Sequence, residues 1–290
     1  MKIVITGATG LIGSMLMERL QSRAEVVGLT RGESSGAFSH TDYSTDSLSS
    51  AFEQTDIVVH LAAVRGKGND YSHFINNAVL TENVLKAALQ AKVGRVIFMS
   101  SIAVYSDVEL VPWREEQSLQ PQTFYGLSKI TGEHLCQLYS RKGLDFTIFR
   151  CGIVLGITKN NRMTDIFIQN AAAGKEIVVT GKSVARRDFI YLKDVVNALC
   201  WSIFEEQKKN QIYNLGSGNA YTNLQLAEAI NRAFGNEGNL SYLDDRSEGI
   251  EDSRMDSAKL EEAGFRRAYD LNSALDNIRK EWEEAAAHDL

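Results

Sequence analysis

Through the first half of the chain, short apolar and β-branched runs alternate with segments whose apolar residues recur at helical spacing. The runs at 2–6, 25–30, 57–61, 95–100 and 146–151 are predicted strands. The segments between them, 11–21, 47–53, 77–91 and 125–141, are predicted helices. This alternation predicts an α/β fold, a parallel sheet covered on both faces, and right-handed crossovers make the sheet doubly wound. Beyond residue 150 the alternation weakens. Helical patterns persist at 165–173, 192–204 and 222–234, with short strands near 177–179 and 213–215. A polar stretch at 235–252 leads into a helix-rich tail at 256–287, and no Gly/Ser/Pro linker divides these parts. The expected organisation is a core over 1–150, joined by elements from about 187–217. A smaller, discontinuous lobe is drawn mainly from 151–290.

Composition narrows the class. A formal net charge of −6 argues against a general nucleic-acid binder, which carries a basic field. The pairs Arg186-Arg187 and Lys208-Lys209 are short and read as solvated surface or local anion contacts. Cys136, Cys151 and Cys200 are far apart and odd in number, and no metal-ligand spacing surrounds them, so a metal site is not expected and a reducing compartment is. The start of the chain lacks a signal-peptide pattern, and no run is long enough to span a bilayer. The expected location is the cytoplasm, without membrane insertion.

The sharpest local feature is the run from Lys2 to Thr6 passing straight into Gly7, Gly10 and Gly13 at the first strand-to-helix junction. Gly7 and Gly10 permit a tight turn and close approach of backbone to a pyrophosphate, while Gly13 permits close helix–sheet packing. Thr9, Leu11 and Ile12 belong to the same turn, and the helix start offers free N–H groups and a positive dipole end to phosphate. The signature predicts dinucleotide binding in the core. The missing Lys-Ser/Thr pair after the glycines excludes a P-loop nucleotide hydrolase. The second strand ends Gly28-Leu29-Thr30-Arg31, without the carboxylate that would hold the two ribose hydroxyls of NAD. Arg31 suits a 2′-phosphate, which favours NADP over NAD. Asp42 is the next candidate near the adenine, and Leu61, Ala62 and Ala63 after His60 are expected to line the cleft.

Tyr125 and Lys129 lie one helical turn apart on one face. A phenol with its ordinary pKa of about 10 is a weak base at neutral pH, and a neighbouring ammonium favours its ionised form. Lys129 is also suited to donate to a nicotinamide ribose. Ser101 follows the apolar strand at 95–100, so its hydroxyl is expected at the sheet's C-terminal edge, beside the reacting oxygen. Tyr-x-x-x-Lys alone usually reflects helix packing; here the glycine turn and the serine-ending strand precede it. His60 and His134 are alternative acid–base groups, though a lone histidine beside an apolar strand is more often structural.

These pieces together resemble the extended short-chain dehydrogenase/reductase family, in particular its nucleotide-sugar epimerases, dehydratases and reductases. The matching segments are Thr6-Gly-Ala-Thr-Gly-Leu-Ile-Gly13, His60-Leu-Ala-Ala63, Ser100-Ser-Ile-Ala-Val-Tyr105 and Tyr125-Gly-Leu-Ser-Lys129. Downstream, Arg187-Asp-Phe-Ile-Tyr-Leu-Lys-Asp194 and Tyr213-Asn-Leu-Gly-Ser-Gly218 resemble the sugar-nucleotide branch more selectively. The resemblance implies an NAD(P)-binding Rossmann core and a nucleotide-diphosphate sugar substrate. It implies catalytic roles for Ser101, Tyr125 and Lys129, and a homodimer paired through helices including the one that bears Tyr125. Arg187 matches an arginine that contacts the substrate diphosphate, with Arg246 and Arg254 as weaker candidates in the polar segment.

Two departures narrow the chemistry. Family dehydratases carry Asp-Glu after the serine or threonine position, where this chain has Ile102-Ala103, which argues against dehydration. Ile153 stands where many relatives have a substrate-binding Asn. Two reactions at C4 of the sugar remain. In a 4-keto reductase, hydride comes from NADPH and the proton from Tyr125; in a 4-epimerase, tightly held NAD serves the same residues. The Thr30-Arg31 strand end tilts the expectation toward reduction. A regulator that binds NAD(P) without turnover is a third class, and the intact Ser101, Tyr125 and Lys129 set argues against it.

Overall fold

In the computed structural model, which describes residues 1–65, 69–158, 162–205, 209–244 and 251–288, a first series of elements runs β1 (Lys2–Thr6), α1 (Leu11–Leu20), β2 (Glu25–Thr30), β3 (Phe38–His40), α2 (Thr45–Ala51), β4 (Ile57–His60), α3 (Tyr71–Gln90), β5 (Arg95–Ser101), α4 (Phe124–Ser140) and β6 (Asp145–Cys151). There follow β7 (Ile153–Leu155), α5 (Met163–Ala172), β8 (Ile177–Thr180), β9 (Arg187–Tyr191), α6 (Leu192–Phe204) and β10 (Gln211–Leu215). The chain closes with β11 (Ala220–Tyr221), α7 (Asn223–Ala233), β12 (Leu240–Leu243), α8 (Ala258–Glu262) and α9 (Leu271–His288).

The main sheet has seven strands in the order β10-β6-β5-β4-β1-β2-β3, and every neighbouring pair is parallel. Such strands are buried on both faces, and their alternate side chains feed two cores. From β1, Ile3 and Ile5 join Leu16, Leu20, Val195 and Leu199 of α1 and α6. Val4 joins Leu48, Val84 and Leu85 on the opposite face, under α2 and α3. The chain winds outward from β1 to β2 and β3, then returns to β4 and proceeds the other way. This reversal opens a crevice at the carboxyl ends of β1 and β4, the place where open α/β sheets hold ligands.

The smaller lobe sits on a second core that includes Leu155, Phe167, Ile168, Ile177, Phe189, Leu226 and Ile278. Its sheets are β11-β9-β7 and the parallel pair β12-β8. Leu11, Ile12 and Met15 of α1 pack against this core, so the first helix joins the two parts of the molecule.

The structure departs from the sequence pattern at several places. Helix α3 begins at Tyr71 and not at 77, because Asp70 caps it by accepting from the Ser72 N–H at 2.8 Å. Tyr71 and Ile75 in its first turns are exposed, so no core periodicity marks them. Strands β3, β7 and β11 span two or three residues, too few for an alternation to register. Residues 187–191 form β9 in the three-stranded sheet, while the neighbouring β10 completes the main one. Strand β12 forms inside the polar stretch by pairing with β8.

Candidate active site

The glycine turn has a steric cause. Gly7 takes φ +70°, and a Cβ there would sit 2.7 Å from the Ala62 nitrogen, so the turn and the end of β4 touch backbone to backbone. Only glycine serves both demands. Gly13 is buried beneath the Gly7 carbonyl. Gly10 differs: its backbone is extended, and a Cβ would meet nothing closer than the Gly7 carbonyl oxygen at 3.2 Å. The fold itself does not demand a glycine there, whereas a phosphate lying against the bare backbone does. Beside it opens a cleft of about 370 Å³ lined in part by Thr9, Gly10, Arg31, Tyr43, Ala62 and Ala63. Gly7 and Leu61 line it too. A cradle without a Cβ, at a helix start and a strand-order reversal, fits a dinucleotide.

The remaining cofactor candidates are placed less directly. Leu11 and Ile12 turn toward the small-lobe core. Asp42 is exposed; its carboxylate accepts from the Ser44 N–H at 2.8 Å, and the Ser44 side chain together with that bond holds it below the usual carboxylate range. Tyr43, the next residue, lines the cleft in its place. The Arg31 guanidinium lies 5.3 Å from the Tyr43 ring centre. Sequence reasoning missed Tyr43, whose hydroxyl is 3.4 Å from the Gly7 nitrogen.

His60 is a structural residue. Nδ1 is 2.7 Å from the Thr6 hydroxyl and Nε2 is 3.2 Å from that of Thr81. Burial, aided by the Lys129 charge, pulls it down to about 3, so the ring stays neutral in neutral solution. Thr6 Oγ1 also accepts from the Ala62 N–H at 3.2 Å and so ties β1 to the loop after β4.

Tyr125 and Ser101 are brought together by another bare backbone. A Cβ on Gly126 would collide with the Ala103 carbonyl oxygen, so the first turn of α4 lies directly on the turn after β5. Thr123 caps that helix by accepting from the Gly126 N–H at 3.0 Å. Ser101 Oγ accepts from the Ala103 N–H at 3.2 Å and lies close enough to the Tyr125 phenol to act on it. Burial pushes the Tyr125 phenol up; Arg65 and the nearby Ser101 hydroxyl pull it down.

Lys129 is 4% exposed. Its Nζ donates to the Met99 carbonyl at 2.8 Å and lies 5.6 Å from the Tyr125 ring centre. Burial pulls it down to about 8, with Glu133 drawing it the other way. Glu133, one turn further along α4, anchors a buried network that the sequence did not announce. Its carboxylate takes a hydrogen bond from Ser100 at 2.5 Å and a forked pair from Arg150, with Nη2 to Oε2 at 2.8 Å. Arg150 Nη1 donates to the Tyr105 hydroxyl at 2.7 Å, and that hydroxyl donates to Asn214 at 2.8 Å. The helical spacing from Lys129 to Glu133 was a visible signal; the pairing with Arg150 across the fold was not.

Arg187 is half-buried at the start of β9. Its Nη2 donates to Asn223 Oδ1 at 2.9 Å and approaches the Met163 sulfur at 3.4 Å. Of the acids near it in sequence, Asp188 accepts from the Ser217 N–H at 2.6 Å, and Asp194 from the Ala268 N–H at 2.8 Å. Arg246 lies outside the described residues. Arg254 pairs with Asp252 at 3.2 Å and borders a different, larger cavity of about 550 Å³ with Arg186 and Arg267. That cavity contains neither Tyr125 nor the glycine turn, and Arg267 is paired with Glu261, so it is a charge-compensated seam.

Comparison with known proteins accords with this geometry. The sequence profile of the NAD dependent epimerase/dehydratase family matches residues 3–216. The crystal structure of UDP-N-acetylglucosamine 4-epimerase from Bacillus cereus superposes with a TM-score of 0.90 at 33% identity, covering 98% of this chain and 96% of that one. A putative UDP-glucose 4-epimerase of Methanocaldococcus jannaschii is 26% identical over 297 residues, 95% of this chain and 96% of that protein. The dTDP-glucose 4,6-dehydratase of Streptomyces niveus is 28% identical over 268 residues, 81% of this chain and 78% of that protein. Among the described residues no helix is long and apolar enough to cross a membrane. The chain belongs to the NAD dependent epimerase/dehydratase family and is an enzyme of its nucleotide-sugar branch.

Proposed function

We propose that the protein is a 4-epimerase of a UDP-linked hexose or N-acetylhexosamine, with Tyr125 as the proton carrier. The observation that carries this reading is the packing of Gly126 against the Ala103 carbonyl, which brings Tyr125 to Ser101 at the sheet's carboxyl edge, next to a glycine turn shaped for a dinucleotide. The similar proteins are 4-epimerases and a 4,6-dehydratase, which moves the preference away from reduction. Dehydration is disfavoured because the turn after Ser101 carries Ile102 and Ala103, with no carboxyl group.

Thr9, Gly10, Ala62 and Arg31 would hold the dinucleotide, which would supply reversible hydride transfer at C4. The Tyr125 oxygen accepts the proton of the C4 hydroxyl and later gives it back, while Ser101 holds the same sugar oxygen in line. Lys129 keeps a positive charge behind the phenol. Arg187 takes the diphosphate, held in place by Asn223 and Met163. The lobe built on α5, α7, β8 and β12 contributes the sugar-nucleotide side. NAD is the proposed cofactor: stacking on Tyr43 gives Arg31 a role that needs no 2′-phosphate. A homodimer is proposed through α3 and α4, which pack together and expose Tyr71, Val79 and Leu138 by 57%, 54% and 51%.

The test is to release and identify the retained cofactor, then incubate the protein with UDP-glucose and UDP-N-acetylglucosamine and resolve the C4 epimers by NMR. Expected are retained NAD, epimer formation without net cofactor consumption, and loss of turnover in Tyr125→Phe. Stoichiometric NADPH oxidation with a 4-keto sugar would restore the reductase reading and refute this one.

A further inference from the structure

Among the described residues, few charged or titratable groups face the Tyr125 phenol. Ser101 approaches from the end of β5, Cys151 from the end of β6, Lys129 from the next turn of α4, and Arg65 from the connection between β4 and α3. Lys129 is the cation that sequence reasoning assigns to the phenol. Its ammonium, however, is anchored on the Met99 carbonyl, 5.6 Å from the Tyr125 ring centre, and shares its charge with Glu133 one turn away.

Arg65 stands differently. Its guanidinium carbon lies 5.2 Å from the Tyr125 ring centre, within the range in which a cation is attracted to an aromatic face. The side chain is exposed, and among the described residues no carboxylate forms an ion pair with it. Guanidinium keeps its charge at every pH at which the enzyme could work. The residue before it is held in place: Asn77 donates to the Val64 carbonyl at 3.0 Å, accepts from the Val64 N–H at 2.7 Å and donates to Ser128 of α4 at 3.2 Å. One asparagine therefore ties the residue before Arg65 to the helix that carries Tyr125.

We propose that Arg65 is a positioning residue of the reaction, a second cation laid over the Tyr125 ring that favours the phenolate and so extends proton transfer to lower pH. The proposal rests on Tyr125 being the proton carrier. The two cations divide the work by environment. Lys129 is buried, and its charge is diluted by Glu133; Arg65 is solvated and permanently charged, and acts on the ring directly. A charge within about 6 Å favours the ionised partner by a pH unit or more when desolvated, and solvent exposure places Arg65 at the lower end.

The experiment compares the parent with Arg65→Met and Arg65→Lys. The Tyr125 phenol is titrated directly by ultraviolet difference spectroscopy against Tyr125→Phe, alongside pH–rate profiles for epimerisation of UDP-glucose. The expected result is an upward move of about one pH unit, in both the phenol titration and the acid limb of kcat, for Arg65→Met. Arg65→Lys recovers most of it, and KM and the amount of retained dinucleotide change less than about twofold. An unmoved titration in Arg65→Met would overturn the proposal, as would loss of retained dinucleotide with the acid limb in place. If Tyr125→Phe itself keeps turnover, the failure belongs to the assignment of the proton carrier and not to Arg65 alone.

Discussion

Replacing Lys129 by Met is expected to make the fold more stable while making the enzyme slow. The ammonium is 4% exposed, and burial brings it from an ordinary 10.5 to about 8. At neutral pH both folded and unfolded chains carry the proton, so holding it in the fold costs about 3 kcal/mol. Methionine has nearly the same length and no charge, and Glu133 keeps its Arg150 partner. What is lost is the hydrogen bond to the Met99 carbonyl, about 1 kcal/mol. The net expectation at pH 7 is a gain of about 2 kcal/mol, or on the order of 4 °C in Tm for a chain of this size. The pH dependence gives a second check. Because the folded pKa lies below the unfolded one, the unfolded chain binds the proton more tightly between about pH 8 and 10.5. The parent therefore gains stability as pH rises through that window, and at pH 10 the cost has fallen to about 1 kcal/mol or less. Urea unfolding of parent and Lys129→Met at pH 7 and pH 10 measures both quantities. A variant less stable than the parent at pH 7, or an advantage that does not shrink by pH 10, would refute the reasoning.

Three further outcomes follow from neighbouring contacts. His60 is held at about 3, so the unfolded chain takes up a proton first as pH falls below 6.5; the parent should lose about 2 kcal/mol between pH 7 and pH 5 that His60→Gln does not lose, read as urea midpoints. An equal loss in both proteins would remove His60 as the cause. Asn223→Val removes the acceptor that steadies Arg187 and should raise KM for the nucleotide sugar about tenfold with kcat nearly unchanged, so an equal fall in kcat would count against Arg187 as a substrate-binding group. Leu138→Lys on the exposed face of α4 should halve the mass seen by light scattering, and an unchanged mass would place the dimer contact elsewhere.

The legible parts of the fold are those fixed by local pattern. Strands β1, β2, β4, β5 and β6 are runs rich in apolar and β-branched residues, and their bounds in the sequence and in the structure agree to within a residue. The glycine turn is equally local: Gly7 needs its positive φ wherever the rest of the chain goes. What pattern misses depends on partners far along the chain. β12 pairs with β8 about sixty residues earlier, and nothing in Leu240–Leu243 alone distinguishes it from the polar stretch around it. Arg31 reads as a phosphate ligand when only the end of β2 is considered. The stacking partner that offers another reading, Tyr43, comes twelve residues later, beyond a strand too short to notice.

The same locality explains why the chemistry of Tyr125 is half visible in the sequence. A tyrosine and a lysine four residues apart share a helix face by geometry alone, so their spacing is a signal, and Glu133 extends it by one further turn. Whether that lysine acts on that tyrosine depends on what else touches the ammonium. The Met99 carbonyl and the Glu133 carboxylate both do. A second charge on the ring comes from Arg65, sixty residues upstream, next to Val64, which Asn77 fastens to α4. Helical spacing thus supplies the partners of a buried group along its own element. The electrostatics of the site are decided by groups that other elements bring to it, and those contacts exist only once the sheet has set β4 beside β5 and the glycine at 126 has let α4 settle on the turn after β5.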